Sequence, residues 1–128
     1  MEGIYVLKLH FSNFDNDNVM RAARTLSDKP VTFNEHKLEY PRNRVSCAEY
    51  DERTNEIQLV LISSEAEIRK VLDENRQIYA SASVLKNYLP RLSFSDLVLN
   101  TEPLKSGCKT SLTRVPDLET AIGLIFSR

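Results

Sequence analysis

Glycine and proline are scarce in this chain. Its 128 residues hold three glycines and five prolines, too few for a loop-rich or low-complexity build. No internal repeat and no linker-like stretch is present. Long apolar runs are missing as well. The longest, Ile57 to Ile62, is already interrupted by Gln58, whereas a membrane-spanning helix needs roughly 20 apolar residues. The start, Met1-Glu2-Gly3-Ile4, lacks the basic region and small-residue cleavage site of a secretory signal. These absences predict a cytoplasmic location and no membrane partner.

Cysteine is nearly absent too. Cys47 and Cys108 stand 61 positions apart, which makes no disulfide framework and predicts two reduced thiols in a cytosolic chain. Nor does one sign of charge dominate: 17 basic and 18 acidic side chains give −1. A duplex-DNA binder draws most of its affinity from neutralising phosphates with a basic excess. The balance here argues against nucleic acid as the partner.

What remains is ordinary for a folded chain: 41% apolar and 27% charged residues. The length suits one globular domain over 1–128 with one sizeable core. Residues 4–11, IYVLKLHF, alternate like a strand. Tyr5, Leu7, Leu9 and Phe11 share one face; Ile4, Val6, Lys8 and His10 share the other, which turns polar towards its end. At 19–27 the period lengthens, with Val19, Ala22, Ala23 and Leu26 on one helical stripe. Pro30 ends that helix. Residues 31–40 read as a short extended pair turning near Asn34 to Lys37.

RVSCAEY and NEIQLVLIS bracket the polar loop DERTN. We expect a hairpin over 45–62 whose second strand is central, being apolar on both faces at its end. Ser64 and Glu67 have the spacing of a capping box, and Ile68, Val71, Leu72, Tyr79 and Ala82 extend one helical face from it. A second helical piece is expected over Val84 to Leu89, then a strand in FSDLVLN. The stretch 101–116 reads as a long polar connection holding a short strand. A last helix follows Pro116, with Leu118, Ala121, Ile122 and Ile125 on its stripe. This order predicts an α+β fold, a mainly antiparallel sheet with helices packed on one face. The topology it favours is a ferredoxin-like βαββαβ with an added C-terminal helix.

Chemical motifs mostly fail on spacing. Asn13, Asp15, Asn16, Asp17 and Asn18 invite a calcium reading. A calcium loop, however, needs ligands at positions 1, 3 and 5, glycine at 6 and glutamate at 12. From Asn13, position 6 is Asn18 and position 12 is Arg24. Short polar side chains before an apolar stripe are what a turn and N-cap require. SGCKTSL resembles a phosphate loop, but Cys108 separates Gly107 from Lys109 and the upstream glycine is missing. IYVLKL resembles one signature strip of RNA-recognition motifs, with Lys8 in place of asparagine. The second strip needs glycine and aromatics, and EIQLVLI has neither. No metal-ligand spacing, catalytic elbow or cofactor loop is found, so no cofactor, metal or catalytic residue is assigned.

By elimination the sequence points to a small protein-binding module that occupies a partner protein. A toxin-neutralising (immunity-type) inhibitor or a small adaptor subunit has this character, with another protein, such as a basic toxin or enzyme, as partner. The candidate partner-binding residues are Glu49, Tyr50, Asp51, Glu52 and Glu56 around the hairpin loop. Tyr50 would be the anchor and the acids would steer a basic partner. One alternative is a nucleic-acid-binding accessory domain using Arg21, Arg24 and the stretch Lys105 to Arg114. A second is an enzyme whose nucleophile, Cys47, pairs with His36 on a neighbouring strand.

Overall fold

The computed structural model describes residues 2–10, 22–85, 93–104 and 107–126. In chain order its strands are β1 (Gly3–His10), β2 (Val31–Phe33), β3 (His36–Lys37), β4 (Arg44–Asp51), β5 (Glu56–Ser63), β6 (Ile78–Leu85), β7 (Ser93–Asn100), β8 (Cys108–Thr110) and β9 (Thr113–Val115). The helices are α1 (Ala66–Asp73) and α2 (Leu118–Phe126). One sheet has the order β4-β5-β1-β9 and the other β3-β2-β7-β6-β8. Every pairing between these strands is antiparallel except β2 with β7.

The class is α+β and mainly antiparallel, as the sequence implies. The arrangement is not the expected single ferredoxin-like sheet. Two sheets share one buried cluster: Leu7, Leu59 and Leu61 come from the first, and Val31, Ala80 and Leu97 from the second. The helices do not share a face either. Ile68 and Val71 of α1 belong to this main core. Ala121 and Ile125 of α2 instead cover Val6, Val60 and Val115 on the outer face of the four-stranded sheet.

Period-2 alternation accounts for this layering. In β1, Tyr5, Leu7 and Leu9 enter the main core, Val6 enters the outer cluster, and Lys8 and His10 are exposed. β5 lies between β4 and β1, which explains why it is apolar on both faces. Ala22 and Ala23 are helical, Arg24–Leu26 forms a 3-10 turn, and Ala22, Ala23 and Leu26 are fully buried. The cluster Asn13 to Asn18 and Arg21 lie outside the described residues, as does Lys105.

The long helix expected from Ser64 through Ala82 stops at Asp73. Asn75 takes φ 53°, a left-handed conformation that breaks the helix. From Ile78 the buried positions are Ile78, Ala80 and Ala82, with Tyr79 and Ser81 half-buried between them, and this is strand periodicity. Nor does Ser64 cap the helix. Glu65 is the N-cap, and its carboxylate accepts from the Glu67 N–H at 3.5 Å. The helical piece expected over 84–89 is also corrected, since Val84 and Leu85 belong to β6. The polar connection supplies two short strands, β8 and β9, one to each sheet. It also satisfies the open edge of β1. The Thr110 hydroxyl accepts from the Lys8 N–H at 3.3 Å and donates to the Lys8 carbonyl at 2.8 Å.

Candidate functional site

The hairpin of β4 and β5 is organised by one extra residue. Val45 pairs with Leu61 and Cys47 with Val60, so Ser46 is a bulge. A bulge shifts side-chain parity by one. Had β4 run regularly from the inward Val45, Glu49 and Asp51 would face the core and Tyr50 solvent. With the bulge, Val45, Ala48 and Tyr50 join the main core. Cys47, Glu49 and Asp51 fall on the outer face.

The outer face of the four-stranded sheet then reads as cross-strand rows. Cys47, Val60 and Val6 form an apolar row; Glu49, Gln58 and Lys8 the next; Asp51, Glu56 and His10 the last. The apolar row lies under α2 and the two polar rows lie beyond it. From Cys47 to Asp51 is roughly 13 Å along the strand.

The five residues expected to meet a partner therefore do not act alike. Tyr50 is 4% exposed, and its hydroxyl donates to Asn55 Oδ1 within the hairpin. It is a core residue, not an accessible anchor. Asp51 is equally buried. Its carboxylate accepts from the Arg53 N–H at 3.0 Å and from Gln58 Nε2 at 3.2 Å, which ties the turn to β5. Glu49 is half-buried and ion-paired with Arg24 at 3.4 Å. Glu52 is exposed in the turn and Glu56 half-exposed on the outer face. Neither has an ion-pair partner among the described residues.

Helix α2 supplies what the hairpin does not. Asp117 caps it, its carboxylate accepting from the Thr120 N–H at 2.7 Å. That hydrogen bond holds the Asp117 carboxyl below the usual range. Ala121 and Ile125 are buried against the sheet, while Ile122, Leu124 and Phe126 are 38%, 53% and 49% exposed. A surface helix ordinarily shows polar side chains opposite its buried stripe. This one shows apolar side chains on both flanks of it.

Among the described residues, groups named for the two alternatives lie apart. His36 lies in β3 of one sheet and Cys47 in β4 of the other, so they are not on neighbouring strands. Burial pushes the Cys47 thiol up, the wrong direction for a nucleophile. Cys108 is half-buried in β8, accepts from the His10 N–H at 3.4 Å and is likewise pushed up by burial. Arg24 sits against β4 and Arg114 on β9. These are opposite edges of the four-stranded sheet, so the two arginines form no common basic surface.

Comparison of the chain with protein-family models, curated proteins and solved structures gives no match. Leu124 and Phe126 were overlooked by sequence reasoning although their signal was local: two large apolar residues off the buried stripe of a short helix.

Proposed function

We propose that the protein acts by occupying the surface of another folded protein, as a toxin-neutralising inhibitor or a small adaptor subunit does. The observation that carries this reading is α2, which leaves Ile122, Leu124 and Phe126 open to solvent on the outer face of the sheet. A central apolar patch with a polar rim is the usual anatomy of a protein–protein interface. A few well-packed side chains near its centre commonly hold most of the binding energy. Glu52 and Glu56, without ion-pair partners among the described residues, form an acidic rim beyond the helix. The partner that fits is a protein with an apolar recess bordered by Lys or Arg, whose approach those acids would steer.

The test is photo-crosslinking in the native host. A benzophenone amino acid placed at position 124 should capture one protein of defined mass, and the same probe at position 36, on β3, should not. Leu124→Glu should abolish the complex and leave the circular dichroism spectrum and melting temperature unchanged. Equal capture from both positions, or a complex that survives Leu124→Glu combined with Phe126→Glu, would overturn the reading.

A further inference from the structure

A second feature lies away from that face, at the edge of the sandwich where β1, α1 and β9 meet. A cavity of about 140 Å³ opens there, lined in part by Tyr5, Ser64, Glu65, Arg69 and Arg114. We propose that this cavity binds a tetrahedral oxyanion, phosphate or the phosphate group of a monoester, on Arg69, Arg114 and the Tyr5 hydroxyl.

The argument begins with Tyr5. Its side chain is almost wholly buried, at 1% exposure, yet its hydroxyl makes no hydrogen bond among the described residues. Buried polar groups are nearly always paired. No side-chain polar atom among the described residues is both sealed from solvent and unpaired, so the hydroxyl opens into the cavity and its donor is available to a ligand. Its direction is set by Gly3, over which the ring lies. A Cβ at residue 3 would stand 2.5 Å from the hydroxyl oxygen. No glycine among the described residues has a positive φ. Glycine at position 3 therefore serves clearance, and the clearance lets the hydroxyl reach the cavity.

The charges converge on the same point. Arg114 is the cross-strand neighbour of Tyr5 and has no ion-pair partner among the described residues. Arg69 has only a loose contact with Asp73, at 4.0 Å. Burial pushes the Tyr5 hydroxyl up; Arg114 and Arg69 oppose that push and Asp73 adds to it. Guanidinium forks suit oxyanions because each can give two parallel hydrogen bonds. The donors come from three different elements, β1, α1 and β9, and such a spread suits a tetrahedral anion better than a planar one. A cavity of about 140 Å³ leaves room for a tetrahedral anion.

Glu65 sharpens the ligand's identity. It lines the cavity, and its carboxylate, one oxygen of which caps α1, can only accept. Inorganic phosphate keeps a proton at neutral pH and can donate to it, whereas sulfate carries none and a monoester, with a second pKa of about 6, mostly carries none. The site should therefore prefer phosphate to sulfate.

The experiment is titration of the full chain with sodium phosphate at constant ionic strength, followed by the amide NMR signals of Ser64 and Ala66 and the side-chain Nε signals of Arg69 and Arg114. Saturable shifts are expected. Arg69→Gln and Arg114→Gln should each raise the Kd about tenfold, equivalent to 1.4 kcal/mol. Tyr5→Phe should raise it several-fold with the melting temperature unchanged. Sulfate should bind more weakly, and Glu65→Gln should erase that difference. The proposal fails if the shifts do not saturate, if acetate or chloride reproduces them, or if they persist when both arginines are replaced.

Discussion

Tyr5 lies back over Gly3 on the same face of β1, so closely that a side chain at position 3 would meet the hydroxyl oxygen at 2.5 Å. The ring has little room to yield, because its other side is in the main core. Gly3→Ala should cost about 1–3 kcal/mol, the usual range for overpacking. Urea denaturation would measure it. Adding Tyr5→Leu should return part of the loss. A neutral Gly3→Ala would mean that the ring moves freely.

The hairpin separates core from rim at nearby positions. Tyr50 is buried, so Tyr50→Ala should destabilise by about 3–5 kcal/mol, as large aromatic truncations do. Glu52, exposed in the turn, should tolerate Glu52→Lys within about 0.5 kcal/mol. Denaturant midpoints for the two variants would decide. Equal stability for both would remove Tyr50 from the core.

The turn between β2 and β3 is strained at one residue. Asn34 and Glu35 have φ 48° and 70°, as in the two-residue turn that suits hairpins. Asn34 is anchored, its Oδ1 accepting from the Thr101 N–H at 2.9 Å. Glu35 is exposed and gains nothing comparable. Glu35→Gly should stabilise by about 1 kcal/mol, since left-handed angles cost an L residue that much. Asn34→Gly should not, because the bond to Thr101 is lost. Thermal unfolding of the two variants is the check, and a lowered melting temperature in Glu35→Gly would refute the strain argument.

Both cysteines should be slow towards a thiol reagent at neutral pH. Burial pushes each thiol up, so the thiolate is scarce in the folded state. The linkage has a definite sign. The folded chain favours the protonated thiol, so this contribution to stability is full below the ordinary thiol range. It is lost as pH rises through the raised values. Labelling rates against pH, in the native and urea-unfolded chain, would test this. A native rate equal to the unfolded one would contradict it.

Some of this protein was determined by the sequence alone. The alternation of Tyr5, Leu7 and Leu9, and of Ile57, Leu59 and Leu61, is enough to set both strands against a core, because side-chain direction in a strand depends only on parity. The turn at Asn34 is local in the same way, and so is the buried stripe of Ala121 and Ile125, although Ile122, expected on that stripe, is 38% exposed. Other features were settled between distant residues. Past Asn75, Ile78 to Ala82 satisfy the helical and strand periods together, and pairing with β7 and β8 chose the strand. The bulge at Ser46, visible only against the register of β5, buried Tyr50 and turned Glu49 and Asp51 outward. The cavity on Arg69, Arg114 and Tyr5 draws on residues more than a hundred positions apart. No local periodicity encodes such a meeting, because it is the packing of α1 and β9 around β1 that brings the three donors together.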